Sequence, residues 1–107
     1  MEANVILELQ KKYFQTGATR DVEMLKNVLI NLRVEILNSE NDIYEALYKD
    51  FKKSKFEAYL GEIGIVITEI DATLKHINSW SKPKKVRASL LNFPSRDYIY
   101  SEPYGTV

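Results

Sequence analysis

Between Ser54 and Trp80 the chain reads SKFEAYLGEIGIVITEIDATLKHINSW. Phe56, Leu60, Ile63, Ile67, Ile70, Leu74 and Ile77 follow one another at alternating intervals of four and three residues. That spacing lines all seven side chains along one face of a helix. Ser54 with Glu57 three residues on has the form of a capping box, which marks the start. Pro83 stands just past the end, where a helix no longer continues. At about 1.5 Å per residue such a helix is about 40 Å long, more than a small domain needs for its own core. It suits an element packed from more than one side. Gly61, Gly64, Thr68 and Ala72 make a second, small-residue row on it. Each glycine costs about 1 kcal/mol in a helix interior, so the row asks for a close backbone neighbour or for space left to a ligand.

Upstream, three shorter helices are expected. Residues 4–16 place Ile6, Leu9 and Tyr13 on one face, and Gly17 supplies the stop because it tolerates the left-handed conformation. Thr19 is suited to cap a helix over 20–38, in which Val22, Leu25, Leu29, Leu32 and Ile36 repeat the seam period of the long helix. Ser39 is suited to cap a third helix over 40–52, with Ile43, Leu47 and Phe51 inward and Tyr44 and Tyr48 as a second stripe. The fourth covers 55–80.

After Trp80 the character changes. Residues 82–87 (KPKKVR) are basic and broken by proline, and read as helix end and linker. Residues 96–101 (RDYIYS) alternate polar and β-favouring side chains, a strand signature. No second strand is evident, so this one is expected to be an unpaired edge. The fold class expected is mainly α: four helices and a C-terminal strand.

Bulk properties narrow the functions. Fifteen basic residues balance fifteen acidic ones, so the chain lacks the global field that draws proteins to nucleic acid or an anionic membrane. No apolar run approaches the length of a membrane span, and the N-terminus has no secretory pattern. The chain has no cysteine, which rules out disulfides, thiolate metal sites and a cysteine nucleophile within it. The cytoplasm is the expected compartment.

At this point the residues carry a resemblance. Residues 45–51 (EALYKDF), then 53–59 (KSKFEAY) and Glu62-Ile63-Gly64, resemble the N-terminal region of aldehyde dehydrogenases, in the class 3, fatty-aldehyde and coniferyl-aldehyde branch. Phe14-x-x-Gly17-x-Thr19-Arg20 precedes them. Trp80-x-Lys82-Pro83 and Phe93-Pro94-x-x-x-Tyr98-Ile99-x-x-Glu102-Pro103-x-Gly105-x-Val107 follow in order. The resemblance spans essentially the whole chain.

It implies an N-terminal helical segment, residues 1–107, of an α/β Rossmann-like oxidoreductase. That enzyme oxidises an aldehyde to a carboxylic acid with NAD or NADP through a cysteine thiohemiacetal. The cofactor and catalytic domains lie outside this chain, which stops before the family's Trp-Asn-Tyr-Pro motif. No catalytic, cofactor-binding or metal-ligating residue is therefore assigned here. By the same resemblance Leu60, Gly61, Gly64, Ile65 and Thr68 lie near the substrate entrance, with the glycines leaving its mouth wide. Phe56, Ile63, Ile67, Ile70, Leu74 and Ile77 form an interface, and the isolated, inactive chain is expected to self-associate through it. The competing expectation is a stand-alone helical interaction module without enzymatic activity, using the same seam to bind a partner helix.

Other features read as ordinary structure. His76 has no competent metal partner at helical spacing. Glu62 and Glu69 share a solvated face, and Asp71 with Lys75 fits a simple i,i+4 pair.

Overall fold

The computed structural model describes residues 2–107. Its elements are α1 (Ala3–Gln15), a 3-10 turn (Ala18–Arg20), α2 (Val22–Asn38), α3 (Glu40–Phe51), α4 (Lys55–Ala58), a π-helical turn (Tyr59–Ile63), α5 (Gly64–Trp80), β1 (Lys84–Val86), a 3-10 turn (Leu90–Asn92) and β2 (Asp97–Ile99). The fold is mainly helical, with one short antiparallel strand pair. Two units divide it: residues 23–76, and residues 1–22 with 77–107.

In the unit of residues 23–76, α4, the π turn and the first part of α5 follow one another without a gap. Ser54 starts the run as a complete capping box. Its hydroxyl accepts from the Glu57 N–H at 3.2 Å, and its own N–H donates to the Glu57 carboxylate at 3.3 Å. Ser39 behaves differently. Its side chain makes no cap; its N–H donates to the Glu35 carbonyl and its carbonyl accepts from Ile43 N–H. The backbone ladder thus leads from α2 towards α3 almost unbroken, and the hydroxyl is not needed.

The π turn shifts the seam. One extra residue in a helical turn rotates everything before it by about 100° relative to an unbroken α-helix. Ile63, Ile70 and Ile77 stay in register and are buried. Phe56, seven residues before Ile63, is carried off the seam and is 73 % exposed. Ala58 takes the inward place instead, at 1 % exposure. Ile67 and Leu74 are half-buried. The expected single straight helix over 55–80 is therefore a helix with a phase break.

The helices are tied by a long-range pair. Arg33 of α2 holds Asp71 of α5 through Nε–Oδ1 at 2.7 Å and Nη2–Oδ2 at 3.3 Å. Asp71 thus has a bidentate partner on another helix where sequence spacing suggested Lys75.

In the other unit, Gly17 closes α1 with φ 77°, as the stop signal requires. Thr19 does not cap α2. It sits inside the 3-10 turn with its hydroxyl buried and without a hydrogen-bond partner, and extended Asp21 immediately precedes α2. The Phe14 ring packs against Gly105, whose φ of 115° suits glycine. The basic run contributes a strand: Lys84 pairs with Ile99, Lys85 with Tyr98 and Val86 with Asp97. The terminal strand is thus not unpaired, and residues 84–86 are not linker.

Candidate functional site

The π turn owes its shape to glycine. Gly64 N–H donates to the carbonyl of Tyr59, five residues back. A Cβ on Gly64 would stand 2.8 Å from that same oxygen, closer than two such atoms approach. Any other residue would have to move the turn. Gly61 is different, since a Cβ there meets nothing within 4 Å. The close neighbour expected for the glycine row is, at Gly64, the helix's own backbone.

The widened turn opens a groove of about 420 Å³ lined by Tyr59, Leu60, Gly64, Ile65, Thr68 and Glu69. Leu60 and Ile65, each 54 % exposed, give it an apolar rim. The Thr68 hydroxyl is spent on the Gly64 carbonyl at 2.7 Å. Glu69 supplies a carboxylate at one end. Of the five residues expected at a substrate entrance, Leu60, Gly64, Ile65 and Thr68 line this groove, and Gly61 does not. Tyr59 is not singled out by the sequence, and Glu69 figures there only as part of a solvated face with Glu62. The signal for Tyr59 is its position five before Gly64, which has meaning only once the π turn is known.

Chemically the groove can hold and guide an apolar group. It contains no nucleophile, and its one carboxylate has no base or acid partner beside it. Glu62, the other carboxylate noted in the sequence, is paired with Lys53 at 2.8 Å. A second hollow of about 560 Å³ lies among Asn41, Tyr44, Glu45, Tyr48, Lys53 and Lys55. There Tyr44 donates to Glu40, and that hydrogen bond, with partial burial behind it, pushes the phenol up to about 12. The Lys52 ammonium lies 4.9 Å from the Tyr48 ring centre.

The seam residues assigned to an interface divide. Ile63, Ile70 and Ile77 are buried by the chain itself, Ile67 and Leu74 are half-buried, and Phe56 alone stands free. Among the described residues no three of His, Cys, Asp and Glu cluster in a way that could hold a metal ion, and no helix is long and apolar enough to cross a membrane. A dinucleotide needs a strand, a glycine-rich turn and a helix N-terminus in sequence. The only sheet among the described residues is a two-stranded antiparallel ribbon, and the four glycines at 17, 61, 64 and 105 form no such turn. These residues do not fit a nicotinamide cofactor.

No protein-family profile matches the chain. Individual proteins do. The 4,4′-diaponeurosporen-aldehyde dehydrogenase of Staphylococcus aureus is 44% identical over 97 residues, covering 91% of this chain and 21% of that protein. The chloroplastic aldehyde dehydrogenase family 3 member I1 of Arabidopsis thaliana is 34% identical over 106 residues, 99% of this chain and 19% of that protein. Among solved structures, a substrate-bound state of Staphylococcus aureus AldH superposes with a TM-score of 0.89 at 39% identity, over 97% of this chain and 23% of that one. The chain therefore spans about a fifth of the length of these relatives.

Proposed function

As an N-terminal segment, this chain belongs with the class 3 aldehyde dehydrogenases, and we propose that the π-turn groove is its contribution to such an enzyme: one wall of the path by which an aldehyde enters. The complete enzyme oxidises that aldehyde to a carboxylic acid with NAD or NADP in the cytoplasm. The segment alone carries no activity, because the nucleophile and the cofactor's binding residues belong to the rest of the polypeptide. The observation that carries this reading is the superposition on a substrate-bound aldehyde dehydrogenase at 39% identity over nearly the whole chain.

The apolar rim of Leu60 and Ile65 favours an aldehyde with an apolar tail. The Staphylococcus aureus relative named for 4,4′-diaponeurosporen-aldehyde supports that class of substrate. Gly64 and Thr68 keep the groove floor small, so bulk there should exclude long substrates first. The test is Thr68→Phe in a full-length aldehyde dehydrogenase carrying this segment, with Gly61→Phe as the companion outside the groove. Thr68→Phe should lower kcat/KM for long aldehydes by roughly tenfold relative to short ones, while Gly61→Phe leaves the ratio near its starting value. An unchanged chain-length preference in Thr68→Phe would remove the groove from the substrate path.

A further inference from the structure

Where the two arms of the β-ribbon meet, the loop between them closes round a hollow of about 380 Å³. Lys85, Arg87 and Arg96 line it together with Phe93 and Ser95, and no acidic residue does. The balanced charge of the whole chain conceals this excess. Between Asp71 and Asp97 the sequence has six basic residues and no acidic one. Among the described residues none of Lys85, Arg87 and Arg96 takes part in an ion pair. The ribbon sets Lys85 opposite Tyr98 and Val86 opposite Asp97. Continuing that register by one residue brings Arg87 to Arg96, while side-chain alternation puts Asp97 on the opposite face. Two guanidinium groups placed so repel each other unless an anion lies between them.

Ser95 points the same way by a separate route. Its hydroxyl is shut off from water and has no hydrogen-bond partner, a state that costs free energy wherever it occurs. An anion seated at the arginines would offer that hydroxyl an acceptor and relieve both deficits. Phosphate suits these donors best. Guanidinium forks bind it through paired hydrogen bonds, an ammonium adds a point charge, and a tetrahedral group presents oxygens in several directions at once. The hollow is larger than a bare phosphate, and its remaining wall is apolar. Phe93 stands out in solvent there, and so do Leu90 and Leu91 on the adjoining 3-10 turn. Ser89 holds that turn, its hydroxyl accepting from Leu91 N–H at 3.3 Å.

We propose that this end of the ribbon binds a phosphate group carried on an apolar moiety, as in an alkyl phosphate monoester or a phospholipid headgroup. Arg87 and Arg96 grip the phosphate, Lys85 adds charge, Ser95 donates a hydrogen bond and Phe93 covers the apolar part. The site is independent of the groove and of any aldehyde. The probes are hexyl phosphate, followed by titration calorimetry, and phosphatidylcholine vesicles with and without phosphatidic acid, followed by co-sedimentation. Arg87→Gln or Arg96→Gln should weaken binding about tenfold and Ser95→Ala about threefold. Lys84→Gln removes the same charge from outside the hollow and should stay within about twofold. Ser95→Ala should also raise the thermal midpoint of the ligand-free chain, because the unsatisfied hydroxyl is gone. Binding of hexyl phosphate would support the site with a soluble ester as its ligand. Binding confined to vesicles containing phosphatidic acid would support it with a membrane lipid instead. Binding of neither, hexanoate bound as tightly as hexyl phosphate, or equal losses from Lys84→Gln and Arg96→Gln would overturn the proposal.

Discussion

The carbonyl oxygen of Tyr59 lies 2.8 Å from where a Cβ on Gly64 would stand, and it accepts the Gly64 N–H. One backbone oxygen thereby fixes the identity of a residue five positions away. It also fixes the π turn, the phase of the seam beyond it and the mouth of the groove.

The two helix glycines should respond oppositely to alanine. Gly61→Ala should stabilise the chain by up to about 1 kcal/mol, since the methyl group meets open space and helix propensity improves. Gly64→Ala should destabilise it by about 1–3 kcal/mol, the range for forcing extra volume into a filled position. Urea unfolding of the two variants measures this; equal shifts would mean that the turn is not held by glycine.

Two serines before helices should also separate. Ser54→Ala removes the hydroxyl that accepts the Glu57 N–H, leaving only the backbone half of the capping box, and should cost about 1 kcal/mol. Ser39→Ala removes a hydroxyl that caps nothing and should leave the unfolding midpoint almost unchanged. A similar loss at both positions would contradict the geometry.

Acid should weaken the joint between α2 and α5. Hydrogen bonds from the Arg33 guanidinium, aided by its charge, hold the Asp71 carboxyl below the usual carboxylate range. A depressed carboxylate stabilises the fold fully above its unfolded value. That contribution is lost as pH falls through the lower folded value. Asp71→Asn should therefore unfold more readily than the parent at neutral pH, with the gap closing on acidification. A gap that persists at low pH would assign the loss to something other than the charge.

At the alkaline end Tyr44 should titrate late. Its hydrogen bond to Glu40 favours the protonated phenol and moves it from 10.0 to about 12. The stabilisation is present below the unfolded value near 10 and is lost as pH rises through about 12. Ultraviolet titration should show one phenol lagging the others, and Glu40→Gln should bring it back among them.

What could be seen in the sequence was local. Ser54 with Glu57, and Gly17 after α1, are signals whose partners lie within a few residues, and both formed as their spacing indicated. The isoleucines at 63, 70 and 77 kept a period that survives in the structure. Phe56 did not, because a single inserted residue changes helical phase without leaving a mark in hydrophobic periodicity. The strand at Lys84–Val86 escaped notice because a three-residue segment with two lysines has almost no β-propensity of its own. It exists through pairing with residues 97–99. Asp71 found Arg33 instead of Lys75 for the same reason, since a partner 38 residues away is a product of packing. Of the five residues that family resemblance assigns to a substrate entrance, four line the π-turn groove. Tyr59 became visible only with the π turn, which also gives Glu69, legible in the sequence only as part of a solvated face, its place at the end of the groove.

The central claim is that this chain is a working wall of an aldehyde dehydrogenase. The direct measurement is aldehyde oxidation by a chimera in which residues 2–107 replace the matching segment of the Staphylococcus aureus relative, followed by reduction of the nicotinamide cofactor. The account predicts an active, folded chimera, an inactive isolated chain, and a chain-length preference that moves when Thr68 is enlarged. A folded chimera that binds cofactor but does not oxidise aldehydes would contradict it.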